Sequence, residues 1–163
     1  LSEKSLGKFY QGILEILPPT VQGILELLKQ YKISLKGKNI VIVGAGRLVG
    51  FPLALQLLRE KATVSVLNEF SKDTPSFTKK ADILISAVGK SNLIKGDMVK
   101  NGAIIIDAGS SVEKRNASGD EVATSSSPSL RSVGDVDFKS AQEKVSAITP
   151  VACLLRNLLK LNS

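Results

Sequence analysis

Short, mainly apolar runs alternate along this chain with stretches whose apolar residues recur at helical spacing. Residues 40–43, Ile-Val-Ile-Val, are the first such run. Runs at 62–67, 83–88, 103–107 and 146–149 repeat it, each of strand length and rich in branched side chains. Between them, residues 48–59 carry Leu53, Ala54, Leu57 and Leu58 at helical spacing, and 21–31 carry Ile24, Leu27 and Leu28. Pro18-Pro19-Thr20 precedes the latter, and Thr20 is the expected N-cap. A short helical turn is predicted at 97–100, a helix with Asp137 as N-cap beyond it, and a terminal amphipathic helix over 151–161. Strands alternating with helices predict an α/β fold, a doubly wound parallel sheet with right-handed crossovers. The run at 62–67 is apolar enough to be an inner strand.

Where the first run ends, the chain reads Gly44-Ala45-Gly46-Arg47-Leu48-Val49-Gly50 and resumes as a helix. This is the layout of a dinucleotide-binding turn. A glycine at 44 permits positive φ, one at 46 lets backbone amides approach a pyrophosphate, and one at 50 lets the helix pack closely on the strand. The helix N-terminus then faces the phosphates. The third glycine follows the second by four residues, where the familiar fingerprint has three. Such sites carry an acidic residue about 20 positions on, at the tip of the second strand, for the ribose hydroxyls. Glu69, 23 residues after Gly46, is the candidate. A 2′-phosphate would meet its like charge, so NAD is expected over NADP, with Arg47 and Lys72 near enough in sequence to offset part of the repulsion. The crevice is expected outside the C-terminal strand ends, near Gly44, Glu69, Ala87 and Gly109.

The chain has 163 residues, within the range of one domain. Aromatic residues are 4% of it against 43% hydrophobic, so the core is expected to be aliphatic, as suits a buried parallel sheet. The net charge of +7 comes from 22 basic residues spread without a dense run, which points to solubility and an anionic ligand rather than to nucleic acid. A single cysteine and no histidine remove an internal disulfide, a Cys/His zinc cluster and a histidine-based triad. Cys153 is expected to be a buried thiol in the terminal helix. No metal site and no membrane span are expected, and a reducing, cytoplasmic setting follows; because the chain opens on Leu1, an organellar leader is left open.

Residues 1–36 are read as a lead-in segment and helix, 37–150 as the dinucleotide domain and 151–163 as the C-terminal helix. Over 110–132 serines and charges replace the apolar periodicity, predicting a polar surface insertion. Asn116-Ala117-Ser118 matches a glycosylation acceptor by chance, and Gly89-Lys90-Ser91 fails as a phosphate loop because its first glycine would fall on Leu84.

Six motifs occur in one order: Gly44-x-Gly-x-x-Val-Gly-x-Pro52, Ala81-Asp82-Ile83, Ala87-Val88-Gly89-Lys90, Gly102-Ala-Ile-Ile-Ile-Asp107-x-Gly109, Gly134-Asp135-Val136 and Ile148-Thr149-Pro150-Val151. This series resembles the C-terminal NAD(P)-binding domain of the methylenetetrahydrofolate dehydrogenase/cyclohydrolase family, from about Pro18 onward. The resemblance implies a Rossmann-like fold. It also implies an enzyme that oxidises methylene-tetrahydrofolate with NADP or NAD and hydrolyses the methenyl product, commonly as a homodimer. It places Gly44, Ala45, Gly46, Arg47 and Leu48 around the pyrophosphate, and Ala87, Gly89, Ala108, Gly109 and Ser110 along the cofactor. Gly46 stands where the family usually has serine. Glu69 stands where it has serine or arginine, and Ser110 where isoleucine is common. The family's catalytic lysine and its partner tyrosine belong to an N-terminal domain that these residues do not include. No catalytic residue is therefore assigned, and the folate partner is expected only with that domain. The family's Pro-Gly-Gly-Val-Gly-Pro loop does not follow Val151, which runs into Ala152-Cys153: either the loop is deleted or the chain is interrupted there. Two alternatives stand beside this one, the nucleotide half of another two-domain dehydrogenase and a stand-alone NAD(H) sensor that meets a partner through Tyr10, Ile13 and Leu14.

Overall fold

The computed structural model describes residues 3–13, 17–114, 130–149 and 160–161. Two helices open it, α1 (Glu3–Tyr10) and α2 (Pro19–Gln30). The main sheet follows, in which β1 (Asn39–Val43), β2 (Thr63–Leu67), β3 (Ile83–Ser86), β4 (Ile104–Asp107) and β7 (Ala147–Ile148) run parallel in the order β2-β1-β3-β4-β7. A last strand, β8 (Lys160–Leu161), pairs antiparallel with β7. The crossovers carry α3 (Gly50–Arg59), α4 (Thr74–Thr78), a single 3-10 turn (Gly96–Met98) and α5 (Phe138–Ala141). Between β4 and α5, β5 (Ser111–Lys114) and β6 (Leu130–Val133) form a separate antiparallel ribbon.

The period of two along the strands divides the core. Ile40, Ile42, Ile83, Ile85 and Ile106 face one way and pack with Val21, Ile24, Leu27 and Leu28 of α2 and Leu53 and Leu57 of α3. Val41, Val43, Leu84, Ile105 and Ile148 face the other way, against Ile94, Val99, Val136, Ala141 and Val145. Both faces of the sheet are thus covered, which is why its strands read as continuous apolar runs. At the N-terminal ends of the strands, Asp82 accepts from the Asn39 amide at 2.9 Å and from Lys100 at 2.6 Å. The Lys100 hydrogen bond is the main reason that its carboxyl lies below the usual range.

Several expectations need correction. The segment at 62–67 forms β2, an edge strand, not an inner one: exposed Thr63 and half-buried Ser65 tolerate the solvated edge, and Leu67 is its fully buried side chain. Thr20 is not the N-cap of α2. Pro19 takes the first helical position, where a fixed φ fits and a missing N–H costs nothing, so Pro18 becomes the cap and its carbonyl accepts from Gln22 at 3.0 Å. Thr20→Ala is therefore expected to change stability by less than ~0.5 kcal/mol, against ~1 kcal/mol for loss of a true cap, as read from a thermal melt. Asp137 does cap α5, accepting from the Ser140 amide at 3.4 Å. Helix α3 begins at Gly50, two residues later than its apolar pattern. The insertion at 110–132 is strand at both described ends, since β5 and β6 pair across it. The terminal helix cannot reach 161, because Lys160 and Leu161 are in β8; Cys153 and Leu14 lie outside the described residues.

Candidate functional site

The sheet order changes direction at β1: β2 lies on one side of it and β3 on the other, so the loops leaving β1 and β3 diverge over one crevice. Gly44 turns the chain at that point. Its φ is +115°, its amide donates to the Leu67 carbonyl at 2.9 Å, and a Cβ there would overlap the carbonyl oxygen of Ala87. Gly50 is equally confined, because a Cβ would overlap the Gly44 carbonyl oxygen; the start of α3 thus packs directly on the turn. Gly46 is different. A Cβ there would meet nothing within 4 Å, so the space above it is open to a ligand. Among the described residues, the amides of Ala45, Gly46, Arg47, Leu48 and Val49 donate to no backbone carbonyl. Open space, undirected amides and the N-terminus of a ten-residue helix make a cradle that fits a pyrophosphate. The four-residue step from Gly46 to Gly50 still permits it, because 47–49 form a turn before the helix begins.

The other expected residues lie on neighbouring strand ends. Glu69 is exposed just past the tip of β2, where the Asn68 side chain accepts from the Phe70 amide at 3.0 Å and fixes the turn. Ala87 and Gly89 lead away from β3, Gly89 with φ +77°. Half-buried Ala108, buried Gly109 and exposed Ser110 leave β4. Arg47 and Leu48 are exposed and line a groove of about 870 Å³ with Tyr10, Pro18, Phe51 and Leu55. Arg59 fixes α1 beside that groove by donating to the carbonyls of Phe9 and Tyr10 at 2.6 and 2.8 Å.

Two buried carboxylates were not anticipated as site residues. Asp135 is fully buried. Its Oδ2 accepts from Ser86 Oγ at 2.8 Å and the Val88 amide at 2.7 Å, and its Oδ1 from the amides of Gly89 and Lys90, both at 2.9 Å. Asp107 accepts from the amides of Gly109, Asp135 and Val136 at 3.0, 3.2 and 2.9 Å. Burial pushes the Asp107 carboxyl up to about 6; the three amides pull it down, and the charge of Asp135 adds to the rise. Gly109 lies so close to Asp135 that a Cβ would overlap the carboxylate. The signal available in the sequence was the Gly134-Asp135-Val136 motif, but its partners are main-chain amides, which no residue type marks. Among the described residues there is no cluster of metal-ligating side chains, and no helix is long and apolar enough to cross a membrane.

A family model described as tetrahydrofolate dehydrogenase/cyclohydrolase, NAD(P)-binding domain, matches residues 18–155. The bifunctional protein FolD of Hydrogenobaculum sp. is 46% identical over 168 residues, covering 96% of this chain and 55% of its own length. That of Aquifex aeolicus is 46% identical over 149 residues, covering 91% and 46%. Among solved structures, bifunctional FolD from Campylobacter jejuni is similar with a TM-score of 0.76 at 38% identity, over 93% of this chain and 52% of that one. FolD from Trypanosoma brucei, complexed with NADP cofactor and inhibitor, is similar with a TM-score of 0.80 at 30% identity, over 96% and 54%. This chain spans about half the length of the curated relatives it matches.

Proposed function

Because the chain belongs to the tetrahydrofolate dehydrogenase/cyclohydrolase family as its NAD(P)-binding domain, we propose that it holds the dinucleotide for hydride transfer from a methylene-tetrahydrofolate. The turn at Gly44, strained for any other residue and opening onto free amides, is the observation that carries this. Ala45, Gly46, Arg47 and Leu48 receive the pyrophosphate, with the guanidinium of Arg47 supplying a positive charge. Glu69 faces the adenosine ribose. Ala87, Gly89, Ala108, Gly109 and Ser110, all with small side chains, form the floor under the nicotinamide end. When bound, the nicotinamide supplies the hydride acceptor, and this domain contributes position rather than acid or base. The folate pocket and the cyclohydrolase step belong to the half of the relatives' length that this chain does not span, whereas a homodimeric assembly would form through the dinucleotide domain itself.

Glu69 favours NAD, since its charge repels a 2′-phosphate. Calorimetric titration of the chain with NAD and NADP tests both statements. Wild type is expected to bind NAD more tightly, and Glu69→Ser to shift the affinity ratio toward NADP by roughly fivefold or more at low salt. An unchanged ratio removes Glu69 from specificity; no binding of either dinucleotide overturns the proposed function. A module that senses NAD(H) for a partner is favoured by one observation, the groove beside the turn in which Tyr10 and Leu48 are 74% and 72% exposed. Supplying a relative's N-terminal half in trans separates the two, because restored dehydrogenase activity supports the enzyme and tight binding without turnover supports the sensor.

A further inference from the structure

We propose that Asp135 is a positioning residue for the cofactor crevice: its carboxylate, aimed by Asp107, holds the loop after β3 in the shape that receives the dinucleotide. This rests on the dinucleotide reading above and adds two residues that need not touch the ligand.

The geometry is a cross-brace. Asp107 stands at the end of β4 and grips the backbone of 135 and 136 through the Asp135 and Val136 amides. Held there, the Asp135 side chain reaches across to β3 and takes four donors, the Ser86 hydroxyl and three consecutive amides, 88 to 90. Gly109, with no room for a side chain, lets the carboxylate pass between the β3 and β4 loops. Two loops of the crevice are thus tied to one side chain. Three amides of a surface loop aimed at one buried oxygen pair are a costly arrangement, stable only while the acceptor is an anion with lone pairs for every donor.

Asp107 makes this arrangement acid-sensitive. Asp135 is the charged side chain that faces it among the described residues; Thr149, whose Oγ1 accepts from the Asp107 amide at 2.8 Å, and Ser86 are neutral. Protonating Asp107 sets an O–H against amide N–H groups, so one bond to 135 or 136 is lost and the aim of Asp135 loosens. Two quantities then move in opposite directions. The Asp107 carboxyl is raised from 3.8 to about 6, so its contribution to fold stability is present below the lower value and is lost as pH rises through the upper. Cofactor affinity needs the ionised form and falls as pH drops through about 6.

Calorimetric titration of the whole chain with NAD and NADP from roughly pH 8 to pH 5 tests this, with affinity at the lower limit expected about tenfold weaker as the competent fraction declines. Asp107→Asn is expected to bind weakly with a flat pH profile. Asp135→Asn is expected to weaken binding at neutral pH by at least about tenfold and to speed hydrogen exchange at the 88–90 amides. Ser86→Ala, which removes one donor of four, gives a milder loss in the same direction should Asp135→Asn fail to fold. Wild-type affinity that ignores pH, or variants that lower the melting temperature while leaving the dissociation constant unchanged, overturn the proposal alone. Absence of binding by the wild-type chain overturns the dinucleotide reading and this proposal with it.

Discussion

Gly44→Ala is expected to abolish measurable dinucleotide binding and to destabilise the fold by about 3 kcal/mol or more. Two separate effects act at this position. The φ of +115° lies in the half of backbone space that glycine enters freely and alanine does not. In addition, the new methyl would overlap the Ala87 carbonyl oxygen and sit 2.8 Å from its carbon, a contact with backbone that no rotamer change relieves. The turn must open, and the strand ends move apart. Gly44 donates to Leu67 of β2 and Ala87 to Val43 of β1, at 2.9 and 2.8 Å, so a displaced turn strains three strands at once. A thermal melt should fall by roughly 6–12 °C, and calorimetry should show no binding at cofactor concentrations that saturate the wild type. Gly46→Ala is the comparison: its methyl would enter open space, so the fold should keep its melting temperature while binding weakens. Equal losses of stability in the two variants would show that confinement at Gly44 is not what shapes the turn.

Leu53→Ala is expected to cost about 3 kcal/mol, within the roughly 2–5 kcal/mol typical of buried leucine truncations. Leu53 is fully buried on the inner face of α3, among the side chains of β1 and α2. Alanine is the best helix former, so the loss reports the cavity and the removed apolar surface rather than helix propensity. Urea unfolding should show a lower midpoint with an unchanged slope. Leu58→Ala five residues on, where the leucine is 54% exposed, should change stability by no more than ~0.5 kcal/mol. Because α3 also presents its N-terminus to the turn, Leu53→Ala should weaken dinucleotide binding as well, whereas Leu58→Ala should not. A loss below about 1 kcal/mol for Leu53→Ala would mean that the site collapses around the gap.

The strands were legible because burial on both faces leaves a direct trace: Ile40 to Val43 and Ile104 to Ile106 are apolar at every position, whichever way each side chain points. The glycine turn was legible because confinement at 44 and 50 forbids a side chain, and that prohibition is written in residue type. Helix ends were less so. Pro18-Pro19-Thr20 satisfies two capping schemes, and the structure takes the one that puts Pro19 at the first helical position and Pro18 at the cap. Edge and centre were confused at β2, since the period of a strand does not say how many neighbours it has.

Residue order by itself determined the α/β architecture, the aliphatic core, the place of the glycine turn and, through six ordered motifs, the family. These depend on local periodicity and on positions where one residue type alone is tolerated. The tertiary structure decided which strand lies at the edge, that β5 and β6 pair across the polar insertion, and that Asp107 and Asp135 tie the segment at 134–136 to the ends of β3 and β4. Each of those joins residues distant in the chain through backbone amides and carbonyls, which every residue carries alike.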